Sequence, residues 1–207
     1  TQIRDAQLTW IGGNQKIEKY MAVNVNATGW KIPFYMGEVE NQDLHALQNI
    51  DYVIICPKDF VSPALRLAKK HEEKDNLTWA VVTDEQVYNE FSSGTPDVSA
   101  YRWLMKMLYD RAAGDKVKRP KHLLLMGSAS FDNRGLLGAV SGVSRLLVYE
   151  AYNSTDETKA YATDDYCGFM ADDAGMDIMG RFYEAQAKMD IGVGRLPVRT
   201  LEQANQV

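Results

Sequence analysis

Met21, Val23 and Val25 alternate with Ala22, Asn24 and Asn26, the period-two signature of a strand buried on one face. Gly29 breaks the pattern, and residues 30–36 read as a second extended stretch whose Pro33 suits a sheet edge. The first helical signal comes only around Leu44 and Leu47. Residues 1–48 therefore read as the end of an upstream β-rich region, with a domain boundary near residue 48.

From residue 49 the pattern changes to strand–helix alternation. Tyr52, Val53, Ile54, Ile55 and Cys56 form an unbroken apolar run, as expected of a parallel strand buried on both faces. Ser62 followed by Pro63 predicts a helix start, with the helix ending near Lys74. Asp75 and Asn76 turn the chain into a second strand over 77–82. Thr83 and Gln86 form a capping box over a short helix that ends near Phe91. Asp97 caps a longer helix whose Val98, Tyr101, Leu104, Met105, Leu108, Tyr109 and Ala112 share one face, and Gly114 supplies the stop. Strands are predicted over 121–126 and 188–193, and residues 145–152 read as extended. This alternation predicts an α/β lobe over 49–207, a flavodoxin- or Rossmann-like three-layer arrangement around a parallel sheet.

The last residues read as a helix start. Thr200 is a candidate N-cap with Gln203 at the capping-box position, and Leu201, Ala204 and Val207 begin an apolar stripe. A helix of two turns is barely nucleated; a frayed natural terminus is one reading, and the preferred expectation is a chain cut from a longer protein.

Composition narrows the class. The 207 residues are 45% hydrophobic and 25% charged, enough for one α/β domain and a smaller companion. No apolar run approaches the ~20 residues of a membrane-spanning helix. A net charge of −5 offers no basic field for nucleic acid. Two cysteines in a chain this long cannot build a disulfide scaffold.

Ligands of open parallel sheets bind beyond the C-terminal strand ends, here residues 57–61, 83–85, 127–134 and 194–200. Gly192-Val193-Gly194 opens like a dinucleotide fingerprint, but Pro197 stands where the third Gly is needed, and no phosphate-loop motif occurs. His45, His71 and His122 lack a His or Cys partner at metal-ligand spacing, so zinc is not predicted. Cys56 ends an apolar strand, and Cys167 has no nearby His to activate it. Between Ala151 and Asp177 lie seven acidic residues against one Lys: Asp156, Glu157, Asp164, Asp165, Asp172, Asp173 and Asp177. Carboxylates in a loop are what Ca²⁺ uses, and Asp164 and Asp165 are its candidate ligands, although the spacing matches no EF-hand. A solvated acidic loop, a turn cap, or a pair between one of these aspartates and Arg195 are the alternatives.

Two stretches carry a resemblance. Tyr161-Ala162-Thr163-Asp164-Asp165-Tyr166-Cys167-Gly168-Phe169, followed by Asp190-Ile191-Gly192-Val193-Gly194-Arg195-Leu196-Pro197-Val198, resembles the gingipain-type cysteine peptidases, most of all their sortase-like surface branch in type IX secretion. Residues 41–47, 51–55 and 87–94 agree, so the resemblance runs from about residue 41 to the end. It implies a two-lobed catalytic unit on a bacterial surface, outer-membrane-associated or secreted, acting on protein or peptide substrates. In that family the catalytic His, in a Gly-His-Gly motif, and the nucleophilic Cys both follow the strand matched here by 190–198. No catalytic residue carries over to this chain, whose partner would be the catalytic lobe of the same polypeptide. Ser128 stands where the family usually has Asp, with Asp132 nearby as a partial substitute.

Three functions are compatible with the sequence. The leading one is the non-catalytic lobe of a gingipain-like peptidase. The second is a binding or scaffold module of a surface or secretion protein. The third, a nucleotide-dependent enzyme of flavodoxin-like fold, is disfavoured by the broken glycine pattern.

Overall fold

The computed structural model describes residues 2–4, 7–9, 19–21, 23–24, 26–29, 31, 33–138, 144–151, 158, 160–172 and 188–207. The chain divides into two compact units, Thr1–Glu40 and Asn41–Val207. In the first, β1 (Gln2–Arg4) pairs antiparallel with β2 (Gln7–Thr9), Ile3 opposite Leu8. The strand expected over 21–25 is not formed at its described positions. Met21, Val23 and Asn24 have no regular structure, and Met21 is 87% exposed. Instead Asn24 O accepts from Ala27 N at 3.1 Å and Asn24 Oδ1 from Asn26 N at 3.0 Å, so the chain turns where the alternation predicted a strand. Ala22, Val25, Trp30 and Ile32 lie outside the described residues. Residues 33–40 also lack regular structure.

The second unit is built on four parallel strands, β3 (Tyr52–Cys56), β4 (Trp79–Thr83), β5 (His122–Met126) and β8 (Gly192–Leu196), ordered β4-β3-β5-β8. Counting only this sheet, the order is 2-1-3-4, the flavodoxin type of doubly wound sheet. Every residue of β3 is buried, the consequence of having helices on both faces. Val53, Ile55, Leu123 and Leu125 face one core with Tyr101, Leu104, Met105 and Leu108. Tyr52, Ile54 and Met126 face the other with Phe60, Ala64, Ala68 and Ala204.

The helices follow their sequence signals closely. α1 (Val61–Asp75) begins slightly before the predicted Ser62 cap, because a 3₁₀ turn over Lys58–Phe60 runs directly into it. Asn76 ends it in the left-handed conformation at φ 53°. α2 (Asp84–Phe91) carries the Thr83/Gln86 capping box with both of its hydrogen bonds. α3 (Val98–Arg111) is capped by Asp97, whose carboxylate accepts from Ser99 N at 2.8 Å. α4 (Leu201–Gln206) starts under Thr200, which accepts from Gln203 N at 3.2 Å. Of its predicted stripe only Ala204 is buried; Leu201 is 45% and Val207 57% exposed.

The region between β5 and β8 departs most from expectation. Extended structure over 145–152 shrinks to β6 (Tyr149–Glu150), paired antiparallel with β7 (Ala162–Thr163), and Tyr152 lies outside the described residues. β8 starts at Gly192 rather than Lys188, because Asp190 is engaged elsewhere. Its N–H donates to Gly168 O, and its carboxylate accepts from Met170 N and the Tyr109 hydroxyl. Among the described residues no helix is long and apolar enough to cross a membrane.

Candidate functional site

The C-terminal strand edge gathers polar side chains, and Arg195 organises them. Its Nε donates to Asp164 Oδ2 and its Nη2 to Asp164 Oδ1, both at 2.7 Å. Nη1 reaches Gly127 O at 2.8 Å, at the end of β5, and Nη2 reaches Leu147 O at 2.8 Å. The two side chains are 11% and 22% exposed, so this is a largely desolvated, bidentate pair. One guanidinium thus ties together β8, the end of β5, the loop before β6 and the turn after β7.

Beyond Asp164 the chain forms a 3₁₀ turn, Asp165–Gly168, then an irregular strap over 169–172. Irregular backbone on a buried face needs donors for its carbonyls. α3 supplies them from successive turns: Arg102 donates to Phe169 O at 2.7 Å and Ala171 O at 2.9 Å, and Lys106 to Met170 O at 2.9 Å. Lys106 is compensated by Asp110 at 2.9 Å and Asp172 at 3.1 Å, and these partners, Asp110 foremost, raise its pKa against the effect of burial. A Cβ on Gly168 would lie 2.7 Å from Met189 Cε, 3.1 Å from Val193 Cγ2 and 3.2 Å from Ile191 O, so a larger residue there would have to displace Met189 and press on the chain entering β8.

At the switch point between β3 and β5, Arg145 pairs with both carboxylate oxygens of Asp59 and lies 4.8 Å over the Phe60 ring. Asp84, in the first turn of α2, has its pKa raised by burial, with its own and Glu85's N–H groups opposing. Asp132 accepts from Leu136 N and Leu137 N at 2.9 and 2.7 Å, so its carboxylate caps a loop turn. Ser128 is buried; its carbonyl accepts from Arg145 N and Leu146 N.

The acidic candidates separate. Asp164 has both oxygens on Arg195, the pairing left open by the sequence, whereas Asp165 is exposed. Asp172 joins Lys106, and Asp156, Glu157, Asp173 and Asp177 lie outside the described residues. Among the described residues no group of three His, Cys, Asp or Glu is placed to hold a metal ion.

Neither thiol is placed to act as a nucleophile. Cys56 and Cys167 are both 0% exposed. Burial, with Asp84 and Asp59 adding to it, pushes Cys56 up to about 12. Burial, with Asp164, pushes Cys167 up to about 12 despite Arg195 and Arg102. The thiolate is the reactive form, so both sites are chemically quiet at neutral pH. The histidines are engaged elsewhere. His45 Nδ1 lies 2.6 Å from Glu90 Oε2 and its ring stacks on Phe91, while His71 Nδ1 lies 2.6 Å from Asp75 Oδ2. His122 begins β5 opposite Tyr52, four residues from Cys56 along β3, a distance of about 13 Å.

No curated protein matches the chain. The crystal structure of dimeric latent PorU from Porphyromonas gingivalis matches it with a TM-score of 0.69 and 38% sequence identity. The match covers 83% of this chain but only 16% of that one, so the chain spans a small part of its relative's length. Peptidase family C25 matches residues 45–207, from the 3₁₀ turn at Leu44–Ala46 through β8 to the end of α4. With the family match extending over residues 45–207, most of the chain, this chain belongs to peptidase family C25.

Proposed function

We propose that this chain is the first, non-catalytic lobe of a gingipain-like cysteine peptidase, supporting a catalytic lobe of the same polypeptide. The observation that carries the reading is the contrast between family and chemistry. A cysteine-peptidase match runs over 45–207, yet both cysteines are buried protonated thiols. Catalysis in the whole protein then belongs to a Cys thiolate and a general-acid/base His outside these residues, acting on protein or peptide substrates. The lobe contributes the ordered strand edge around Arg195 and Asp164, against which a second lobe packs. Similarity to PorU supports a bacterial cell-surface, outer-membrane-associated or secreted location.

The test is to express the polypeptide together with the residues that follow it. Thiol-dependent peptide cleavage or transfer that maps to a Cys outside this chain supports the reading. A full-length protein without a His–Cys pair would instead make this lobe part of a binding or scaffold module.

A further inference from the structure

Opposite the edge organised by Arg195, at the N-terminal ends of the strands, the chain concentrates positive charge. Residues 111–121 hold five cations, Arg111, Lys116, Lys118, Arg119 and Lys121, against one carboxylate, Asp115, in a chain whose net charge is −5. Two of the five are committed elsewhere. Lys121 pairs with Asp51 at 2.8 Å, and the Arg119 guanidinium lies 4.4 Å over the Tyr109 ring. Arg111 and Lys118 instead line a cavity of about 340 Å³ between the end of α3 and the segment 45–49 that leads into β3.

The donors around this cavity are only partly used. Arg111 Nη1 donates to His45 O and, at 3.1 Å, to Leu47 O, which fixes the guanidinium against the backbone. Its Nε and Nη2 have no partner among the described residues. Lys118 has one long contact, 3.5 Å to Asp115, whose other oxygen accepts from Val117 N at 3.0 Å. The side-chain amides of Gln48 and Asn49 also line the cavity and make no hydrogen bond among the described residues. Asn49 is held there at φ 54°, its carbonyl accepting from the Thr78 hydroxyl at 2.7 Å.

Opposing charge is small. No carboxylate lines the cavity among the described residues. Glu90, 2.6 Å from His45 Nδ1, is taken up by Gln42 and by the N–H groups of Leu44 and His45. The C-terminal end of α3 contributes about half a negative charge, against two full positive ones. Two fixed cations with neutral amide donors suit a dianion better than a monoanion. Phosphate on an ester carries about −1.5 to −2 charge near neutral pH, and the arginine fork matches its oxygens.

We propose that the cavity bounded by Arg111, Lys118, Gln48 and Asn49 binds a phosphate group, free or carried on a small molecule. The proposal goes beyond the peptidase reading and does not depend on it, since the site uses only residues of this chain, at the opposite strand ends from Arg195.

The test is calorimetric titration of the purified 207-residue chain with inorganic phosphate, glycerol phosphate and acetate, at constant ionic strength. One saturable phosphate site in the millimolar range is expected, with acetate about tenfold weaker. Lys118→Gln should weaken phosphate about tenfold, whereas Lys116→Gln, outside the cavity lining, should leave it unchanged. Arg111→Gln also frees the 45–47 backbone, so Gln48→Ala, at an exposed position, is the second variant. It should weaken phosphate several-fold with the melting temperature unchanged. Binding of glycerol phosphate as well supports the site and assigns it an ester; binding of inorganic phosphate alone supports it as a site for the free anion. Absence of saturable binding would overturn the proposal. So would acetate binding as tightly as phosphate, or equal losses in Lys116→Gln and Lys118→Gln, which would reduce the effect to general surface charge.

Discussion

Arg195 and Asp164, 31 residues apart, meet in a bidentate pair with both contacts at 2.7 Å, and two more N–H groups of the Arg195 guanidinium donate to main-chain carbonyls. The pair does for the C-terminal strand edge what a helix would do elsewhere. It fixes the relative heights of β5, β8 and two loops that have no regular structure of their own.

Removing one partner leaves the other charged and poorly solvated. Arg195→Met or Asp164→Asn is expected to cost about 3–5 kcal/mol, read from urea unfolding of the purified chain. Arg195→Lys recovers only part of the loss, because an ammonium cannot serve the carboxylate and two carbonyls in the same fork. Wild-type stability in Asp164→Asn would remove the pair from its organising place.

The capping box offers a smaller, local effect. Thr83→Ala deletes the oxygen that accepts from Gln86 N and should lower stability by about 1 kcal/mol. Thr200→Ala, at the exposed short helix α4, should cost less. Equal losses in a urea titration would argue against this ranking.

Stability should fall at alkaline pH, and the sign follows from burial. Cys56, Cys167 and Tyr52 are all pushed up to about 12 by burial. Groups raised in the folded state contribute fully below their unfolded values, about 8.5 for Cys and 10 for Tyr. That contribution is lost as pH rises from there toward the folded values. The free energy of unfolding should therefore decline between pH 8 and pH 11, as measured by denaturant titration. A flat profile would mean that the thiols and Tyr52 are not held neutral by the fold.

Calcium provides a direct test of the acidic segment. With both Asp164 oxygens on Arg195 and Asp165 in solvent, millimolar Ca²⁺ should leave the melting temperature unchanged at constant ionic strength. A saturable rise that Asp165→Asn abolishes would make Asp164 and Asp165 calcium ligands.

The regular elements were legible because their signals are local. The five residues of β3 are contiguous, both halves of the Thr83/Gln86 box lie within one turn, and the α3 face repeats every three or four residues. The strap over 169–172 was not legible, because it has no period. Its order comes from Arg102 and Lys106, 64 to 69 residues away, whose positions on α3 look like ordinary helix-surface charges. β8 begins four residues later than expected for the same reason, since Asp190 is drawn to Tyr109 and Met170 rather than to the sheet. Asp164 was singled out for its charge, and its pairing with Arg195 was one of several open readings. The choice between them depended on a contact made across three elements.

The central proposal, a chemically silent lobe of a cysteine peptidase, is tested most directly on the purified 207-residue chain. It is incubated at neutral pH with a mixed peptide library and, in parallel, with a thiol-directed irreversible inhibitor whose adducts are read by mass spectrometry. The account predicts no cleavage above the blank and no labelling of Cys56 or Cys167 until urea unfolds the chain. Inhibitor-sensitive cleavage that disappears in Cys56→Ala or Cys167→Ala would contradict it.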